Sequence, residues 1–284
     1  MRAGISVPNF SEYSDPRLVA ELAHEAEEAG WDGFFLWDHL LFENKWRLPI
    51  ADPWVALAAM AMRTSRIRLG PLVTPVPRRR PWKLARETVT LDHLSNGRLI
   101  LGVGLGWPPV DDFARFGEES DDKVRAARLD EGLDILTGLW SGEPFSYQGQ
   151  HYHIQEETVF LPRPVQAPRI PIWVAGFWPK KAPFRRAARW DGVFPLSLNV
   201  NWDQSIPPAE VQATLAYIQS QRASDTPFDV TVGGETPGDD PARAAAIVAP
   251  YGAVGVTWWI ENVVPQRGPL EAMRQRIRQG PPRL

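Results

Sequence analysis

Asp38 and His39 stand side by side at the end of the apolar run formed by residues 32–37. An imidazole gives or takes a proton near neutral pH, which makes this pair the sharpest candidate for acid–base catalysis. In that role His39 exchanges the proton, and Asp38 either orients the ring or holds the loop that carries it. The competing reading is structural, with His39 bonded to a loop carbonyl or to Asp38 and no chemistry done. Anion binding is a second kind of chemistry, and it needs backbone N–H groups with a cation close by. Gly176, Phe177 and Trp178, followed by Pro179, Lys180 and Lys181, offer both at the start of a basic segment. Arg78, Arg79 and Arg80 offer a second place, although an arginine run in a loop is more often simply solvated. The glycines of the run Gly102 to Gly106, GVGLG, leave room for a flat, large ligand to lie against the backbone. That run lacks the GxGxxG spacing of a dinucleotide loop and does not open directly into a helix.

Several chemistries are excluded or disfavoured. The 284 residues contain no cysteine, which removes thiolate nucleophiles, disulfides and Cys-ligated metal or iron–sulfur centres. No GxSxG elbow is present, so no serine triad can be assembled. His151 and His153 form an HxH in a hairpin-patterned segment, where alternate positions share one strand face; no metal site is expected from it. With 31 Lys+Arg against 34 Asp+Glu the net charge is -3, which gives no broad electrostatic reason to expect nucleic acid or a membrane surface as partner. The N-terminus lacks a signal-peptide pattern and no apolar run approaches membrane-spanning length, so a cytoplasmic protein is expected. Trp is unusually frequent, at 13 residues; indoles at loop edges would suit a broad apolar pocket, and indoles packing helices on a sheet are the alternative.

The elements that must position these residues alternate. Buried strands are predicted at 3–7, 32–37, 67–73, 99–103, 171–175, 191–195, 228–232 and 254–259. Helices are predicted at 16–29, 53–63, 82–94, 122–140, 180–190, 207–223, 241–249 and 270–278, and residues 107–120 read as loop. Several helix starts carry Asp-Pro, an N-cap followed by a proline at the first helical position. The segment 143–162 reads as a β-hairpin excursion. Eight βα repeats at this length, with no linker or shift in composition, predict one (β/α)8 TIM barrel domain over residues 1–284. A barrel collects its chemistry at the C-terminal strand ends. Those ends are Pro8 and Asn9, Asp38 and His39, Val73 and Thr74, Gly104 to Trp107, Gly176 to Trp178, Leu196 to Asn199, Gly233 to Glu235, and Trp258 to Glu261.

At these strand ends the chain resembles the bacterial-luciferase-like superfamily of flavin- and deazaflavin-dependent oxidoreductases. The segments that carry the resemblance are GISVPNF at 4–10, EEAGWDGFFLWDHL at 27–40, DPWVALAAMA at 52–61, residues 64–107 throughout, and PIWVAGFWPKKAPFRRAARWDGVFP at 171–195. The resemblance implies a noncovalent flavin-type cofactor in the barrel mouth. It places a bulge, sometimes with a non-prolyl cis peptide, at Leu72, Val73 and Thr74, pressing on the central ring. It sets the turn of Gly104, Leu105, Gly106 and Trp107 beside that ring, and gives the backbone of Gly176, Phe177 and Trp178 to the phosphate. It puts His39 near the reactive edge, with Asp38 as its acid neighbour. The first expectation is a monooxygenase that uses reduced FMN from a separate flavin reductase and O2 on a small organic substrate. The alternative is hydride transfer with coenzyme F420, in which His39 handles the proton. In deazaflavin branches that His works with a Glu after the fourth strand. Leu105, Gly106 and Trp107 stand there instead, which puts a glucose-phosphate-dehydrogenase-like reaction in doubt. A noncatalytic flavin-binding or structural barrel is the reading from another class. A homodimer is implied by resemblance.

Overall fold

The computed structural model describes residues 1–201 and 204–282. Its strands are β1 (Arg2–Val7), β2 (Gly33–Leu36), β3 (Arg68–Pro71), β4 (Thr74–Pro75), β5 (Leu101–Gly104), β6 (Phe145–Gln148), β7 (His153–Thr158), β8 (Ile172–Trp178), β9 (Gly192–Ser197), β10 (Asp229–Gly234) and β11 (Trp258–Asn262). Nine of them form one parallel sheet in the order β3-β2-β1-β11-β10-β9-β8-β5-β4. β3 and β4 are two halves of a single stave, parted at the cis Leu72–Val73 peptide. The ring closes because Leu69 N–H bonds the Arg98 carbonyl at 3.1 Å and Ile100 N–H bonds the Leu69 carbonyl at 2.9 Å, while Thr74 of β4 pairs with Val103 of β5. This is the (β/α)8 barrel expected from the alternating pattern, and β6 with β7 forms the antiparallel excursion outside it.

The helices are α1 (Pro16–Glu28), α2 (Pro53–Arg63), α3 (Pro81–Leu94), α4 (Pro109–Asp112), α5 (Asp122–Trp140), α6 (Lys181–Ala187), α7 (Pro208–Gln221), α8 (Pro241–Ala253) and α9 (Leu270–Arg278). Asp15, Asp52 and Asp121 cap α1, α2 and α5 by accepting the first free amides, the first two as their Asp-Pro steps predict. Among the described residues no helix is long and apolar enough to cross a membrane. Several boundaries differ from the sequence reading: β3 stops at Pro71 rather than at residue 73, β8 runs on through Gly176 to Trp178, and α8 reaches Ala253 rather than residue 249. Residues 107–120 are not plain loop, since they hold the one-turn α4 and a 3-10 turn at Ala114–Phe116. β11 begins at Trp258 rather than Val254, because Val254 and Gly255 turn the chain out of α8, with Gly255 at φ 95°.

The barrel interior is filled by rings. Phe35, Trp173 and Trp258 are fully buried, with centroids 5.3–6.0 Å apart. Leu72, Ile100 and Ile260 complete that cluster. Stacked and edge-on aromatic pairs of this kind contribute about 0.5–1.5 kcal/mol each beyond their burial. Much of the indole content is thus core rather than pocket edge; among the described residues Trp46, Trp82 and Trp107 are the strongly exposed ones. A buried charge network closes the barrel beside β11. Glu261 accepts from Thr236 through both amide and hydroxyl, from the Trp259 indole and from Arg267. Burial lowers the pKa of Arg276, and the nearby Glu261 carboxylate, 3.3 Å away, opposes that shift. At the opposite end Glu27 accepts the amides of Ser65, Arg66 and Ile67. Burial pushes its pKa up, but these bonds outweigh it and the net shift is downward.

The close approach of β3 to β5 demands a bare Cα at Gly70, where an added Cβ would overlap the Ile100 carbonyl oxygen. Gly70→Ala is therefore expected to destabilise by about 3 kcal/mol or more. Gly252 in α8 has open space around it. Gly252→Ala is expected to stabilise by about 0.4–1 kcal/mol. Urea unfolding midpoints check both; two substitutions of the same sign and size would contradict the packing of β3 on β5.

Candidate active site

His39 lies in the loop after β2. Its carbonyl accepts from Asn9 Nδ2 at 2.8 Å and its N–H reaches Asn9 Oδ1 at 3.3 Å, so one buried amide at the end of β1 fixes the backbone on both sides. Asp112 of α4 accepts the next amide, Leu40 N–H, at 2.9 Å through Oδ1. The second oxygen, Asp112 Oδ2, lies 3.4 Å from His39 Nδ1, with the carboxylate fully buried and the imidazole 14% exposed. Aromatic rings wall the imidazole, with Phe10, Trp37 and Phe42 centroids 6.4, 6.0 and 5.2 Å away. Phe10 and Phe42 stack on each other at 4.4 Å, and the Trp37 indole is fixed by a 2.9 Å bond to Ser6 Oγ.

Asp38 sits elsewhere. Its carboxylate accepts from Thr74 Oγ1 at 2.7 Å, from Arg79 at 2.8 and 3.1 Å, and from Arg78. Among the described residues the only carboxylate in ion-pair range of His39 is that of Asp112. Asp38 is placed to hold the loop, which was one of its two sequence readings, and it does not contact the imidazole. Arg78 also reaches Asp112 Oδ1 with Nη1 at 3.0 Å. The solvated arginine run expected there is half right at most: Arg80 is exposed, but the side chains of Arg78 and Arg79 are 5% and 16% exposed and are committed to these carboxylates.

The glycine run is filled by the protein itself. An added Cβ on Gly104 would meet Val73 Cγ2 at 2.8 Å, and one on Gly102 would overlap the Pro71 carbonyl oxygen and meet Val73 Cγ1 at 3.2 Å. Gly106 takes φ +89°, with Phe113 and Pro75 occupying the space a side chain would need. Arg125 locks this turn by donating to the carbonyls of Leu105 and Gly106, both at 2.8 Å. What faces the mouth here is therefore Val73 and Trp107, the latter 55% exposed, rather than bare glycine backbone. Leu105 packs on the core and Thr74 is spent on Asp38.

Gly176 plays the same packing part, because Pro183 of α6 lies where its side chain would be. Phe177 and Trp178 are half-buried, and Lys181 places its ammonium 3.5 Å from the Trp178 ring centroid. The carbonyls of Ile172 and Trp178 accept from Asp191 and Leu198 on the β9 side, whereas Pro171 accepts from Leu101 on the β5 side. With a period of two along the strand, the Phe177 N–H points toward β5, whose pairing with β8 ends at Val103 opposite Val174. That amide is the best placed of the three to meet an anion.

The barrel thus brings Val73, Trp107, Phe177, Trp178 and His39 to one face, and leaves the Asp38 carboxylate out of it. Asp112 and the clamp by Asn9 were missed in the sequence. Pro108, Pro109 and two acids in the next three positions are a helix-start signal that could have found α4.

Comparison with known proteins follows this geometry. The chain matches the luciferase-like monooxygenase family over residues 1–275. Proteins named F420-dependent glucose-6-phosphate dehydrogenase from Nakamurella multipartita and Amycolatopsis mediterranei are each 34% identical, over 60% and 61% of this chain and 49% and 52% of their own. The chain spans about half the length of these curated relatives. Among solved structures, monooxygenase RslO1 from Streptomyces bottropensis superposes with a TM-score of 0.77 at 23% identity, covering 98% of this chain and 97% of that one. The coenzyme F420 dependent tetrahydromethanopterin reductase from Methanopyrus kandleri gives 0.75 at 18% identity, covering 98% and 96%. At such identities the structural likeness is one of fold. With nearly every residue inside the family match and the barrel to go with it, the chain belongs to the luciferase-like monooxygenase family.

Proposed function

We propose that this chain is an oxidoreductase that takes a flavin-type ring, F420 or FMN, in the C-terminal mouth of a single barrel domain and acts on a small uncharged organic substrate. The observation that carries the reading is His39, open on one edge and backed by a buried carboxylate. Such an imidazole is suited to moving a proton. The site fits a flat ring with an anionic tail: Val73 and the half-exposed rings of Trp107, Phe177 and Trp178 give apolar surface, and the Phe177 amide and Lys181 give anion contacts. Arg78 and Arg79 are committed to Asp38 and Asp112, so a phosphorylated sugar has no call on them.

Hydride transfer with F420 is the preferred reading, which reverses the order expected from sequence. A deazaflavin held there would supply the hydride acceptor. His39 takes the proton released when the substrate hydroxyl becomes a carbonyl, or returns it in the reverse direction. Val73 would give the ring apolar support, and Phe10, Trp37 and Phe42, packed around His39, would keep water from it. The curated relatives named as F420-dependent support this choice. Monooxygenation with reduced FMN, O2 and a partner reductase is the second reading, favoured by the same aromatic wall, since shielding is what that chemistry asks of a protein.

Titration with oxidised and reduced F420 and FMN separates the readings. Binding of F420 in preference to FMN is expected; binding of FMN alone would favour the second reading, and binding of neither would leave a noncatalytic barrel. His39→Ala is expected to lower turnover by about 10²–10⁴-fold while cofactor affinity stays within a few-fold. Unchanged turnover would remove His39 from the mechanism.

A homodimer is also proposed, through α2, which turns Val55 and Met62 outward at 64% and 72% exposure. These apolar side chains lie seven positions apart on one helix face. Light scattering should give a dimer mass for the native chain and a monomer mass for Met62→Lys; a monomeric native chain would refute the proposal.

A further inference from the structure

We propose that Asp112, and not the adjacent Asp38, is the positioning residue for His39, holding the imidazole as its Nδ1–H tautomer so that Nε2 is the nitrogen that exchanges the proton. The role in turnover rests on the oxidoreductase reading above; the tautomer does not.

His39 Nδ1 and Asp112 Oδ2 are both shut off from solvent, and neither has a hydrogen-bond partner. They face each other at 3.4 Å. That is longer than a formed N–H···O bond, yet two buried polar atoms with no other partner satisfy each other or remain unsatisfied at a cost. Catalytic hydrogen bonds often stand long before substrate arrives and then tighten. An ionised carboxylate only accepts, so the proton of a neutral imidazole belongs on Nδ1.

The other charged groups around the ring are paired among themselves. From the turn after β4, Arg78 lies 3.0 Å from Asp112 Oδ1 and also binds Asp38, which Arg79 grips from the other side. Glu87 of α3 stands 3.9 Å from Arg79 and pairs with Lys83 at 2.6 Å. Asp111 of α4 is taken by Arg115 at 2.7 Å. In the loop of His39 itself Glu43 pairs with Lys45 at 2.8 Å. Two arginines balance Asp38 and Asp112, so a neutral imidazole leaves the central cluster without net charge. The backbone bonds from Asn9 and to Asp112 Oδ1 fix where the ring stands, which leaves Oδ2 to fix which nitrogen carries the proton.

The geometry suggests an isosteric test. In Asp112→Asn the side-chain oxygen keeps Leu40 N–H and Arg78, which turns the new NH2 toward His39 Nδ1. An NH2 donates, so the ring must present a bare Nδ1 and carry its proton on Nε2, the wrong tautomer for a group that accepts at Nε2. The experiment is nitrogen-15 NMR of imidazole-labelled protein without cofactor, at about pH 9, well above the ordinary imidazole pKa of about 6.5. The His39 signals are assigned among the five histidines by their loss in His39→Gln. The native protein is expected to show the Nδ1–H tautomer, Asp112→Asn the Nε2–H tautomer, and Asp38→Asn the native pattern. Turnover of Asp112→Asn should fall by about 10²-fold or more with cofactor affinity retained, and Asp112→Glu should recover part of it. An Nε2–H tautomer in the native protein overturns the proposal by itself, whether or not Asp112→Asn folds. So does a switch caused by Asp38→Asn alone. A protein that turned over neither cofactor would sink the oxidoreductase reading and leave the tautomer result standing.

Discussion

Two buried arginines hold together loops that the barrel would otherwise leave independent. Arg78 and Arg79, in the turn after β4, bind Asp38 from the loop after β2, and Arg78 reaches on to Asp112 from the loop after β5. All these carboxylates are nearly inaccessible to solvent. Taking either arginine away would strand a buried negative charge, a loss of about 3–5 kcal/mol for pairs of this kind. The pairs need not add net stability over an apolar core; what they give is a single arrangement of three strand ends. His39 inherits its place from that arrangement, because its neighbour on one side is Asp38 and the amide on its other side is held by Asp112.

The break in the third stave serves the same arrangement. Without the turn at Leu72 and Val73, Thr74 would not meet Asp38, and Val73 would not lie across β5. Gly104 is bare because Val73 covers it, and Gly102 because the Pro71 carbonyl oxygen lies against it with Val73 beside. The strand ends at Thr74 and at Gly104 to Trp107 are therefore one wall, built by a side chain of one stave set into the missing side chains of the next. Lower in the barrel Phe35 and Trp258 fill the space left by Gly33, and Trp173 that left by Gly192. The same exchange of volume recurs on two levels, and it leaves the mouth to be lined by rings that the interior does not use.

The βα alternation was legible because buried parallel strands and Asp-Pro-capped helices each write a local pattern. The helix starts at Pro53 and Asp122 and the last helix, residues 270–278, fall where the sequence puts them. The break at Leu72 was legible only through family resemblance, since nothing in an apolar run marks where its pairing stops. The interpretation of glycine was inverted. A missing Cβ announces close approach, but composition cannot say whether the approaching group is a ligand or, as with Val73, Phe113 and Pro183, the protein itself. Arginines misled in the opposite direction, because a triplet of cations shows its charge in the sequence and hides its partners, which lie 40 and 34 positions away for Arg78.

The Asp38-His39 adjacency carries the more general lesson. Successive side chains at a strand end point to opposite sides. Neighbouring positions there are thus evidence against contact, and the acid that serves a histidine must come from another stave or from a loop beyond it. Here one carboxylate turns inward to the arginines and the imidazole turns to the mouth. The acid facing the imidazole comes from a short helix 73 positions later, which the ring of parallel strands brings alongside. Where a barrel strand ends in an acid-His pair, the acid to seek is one carried by the loop of a nearby stave, and the acid in the sequence pair is better sought among the groups that hold the loop.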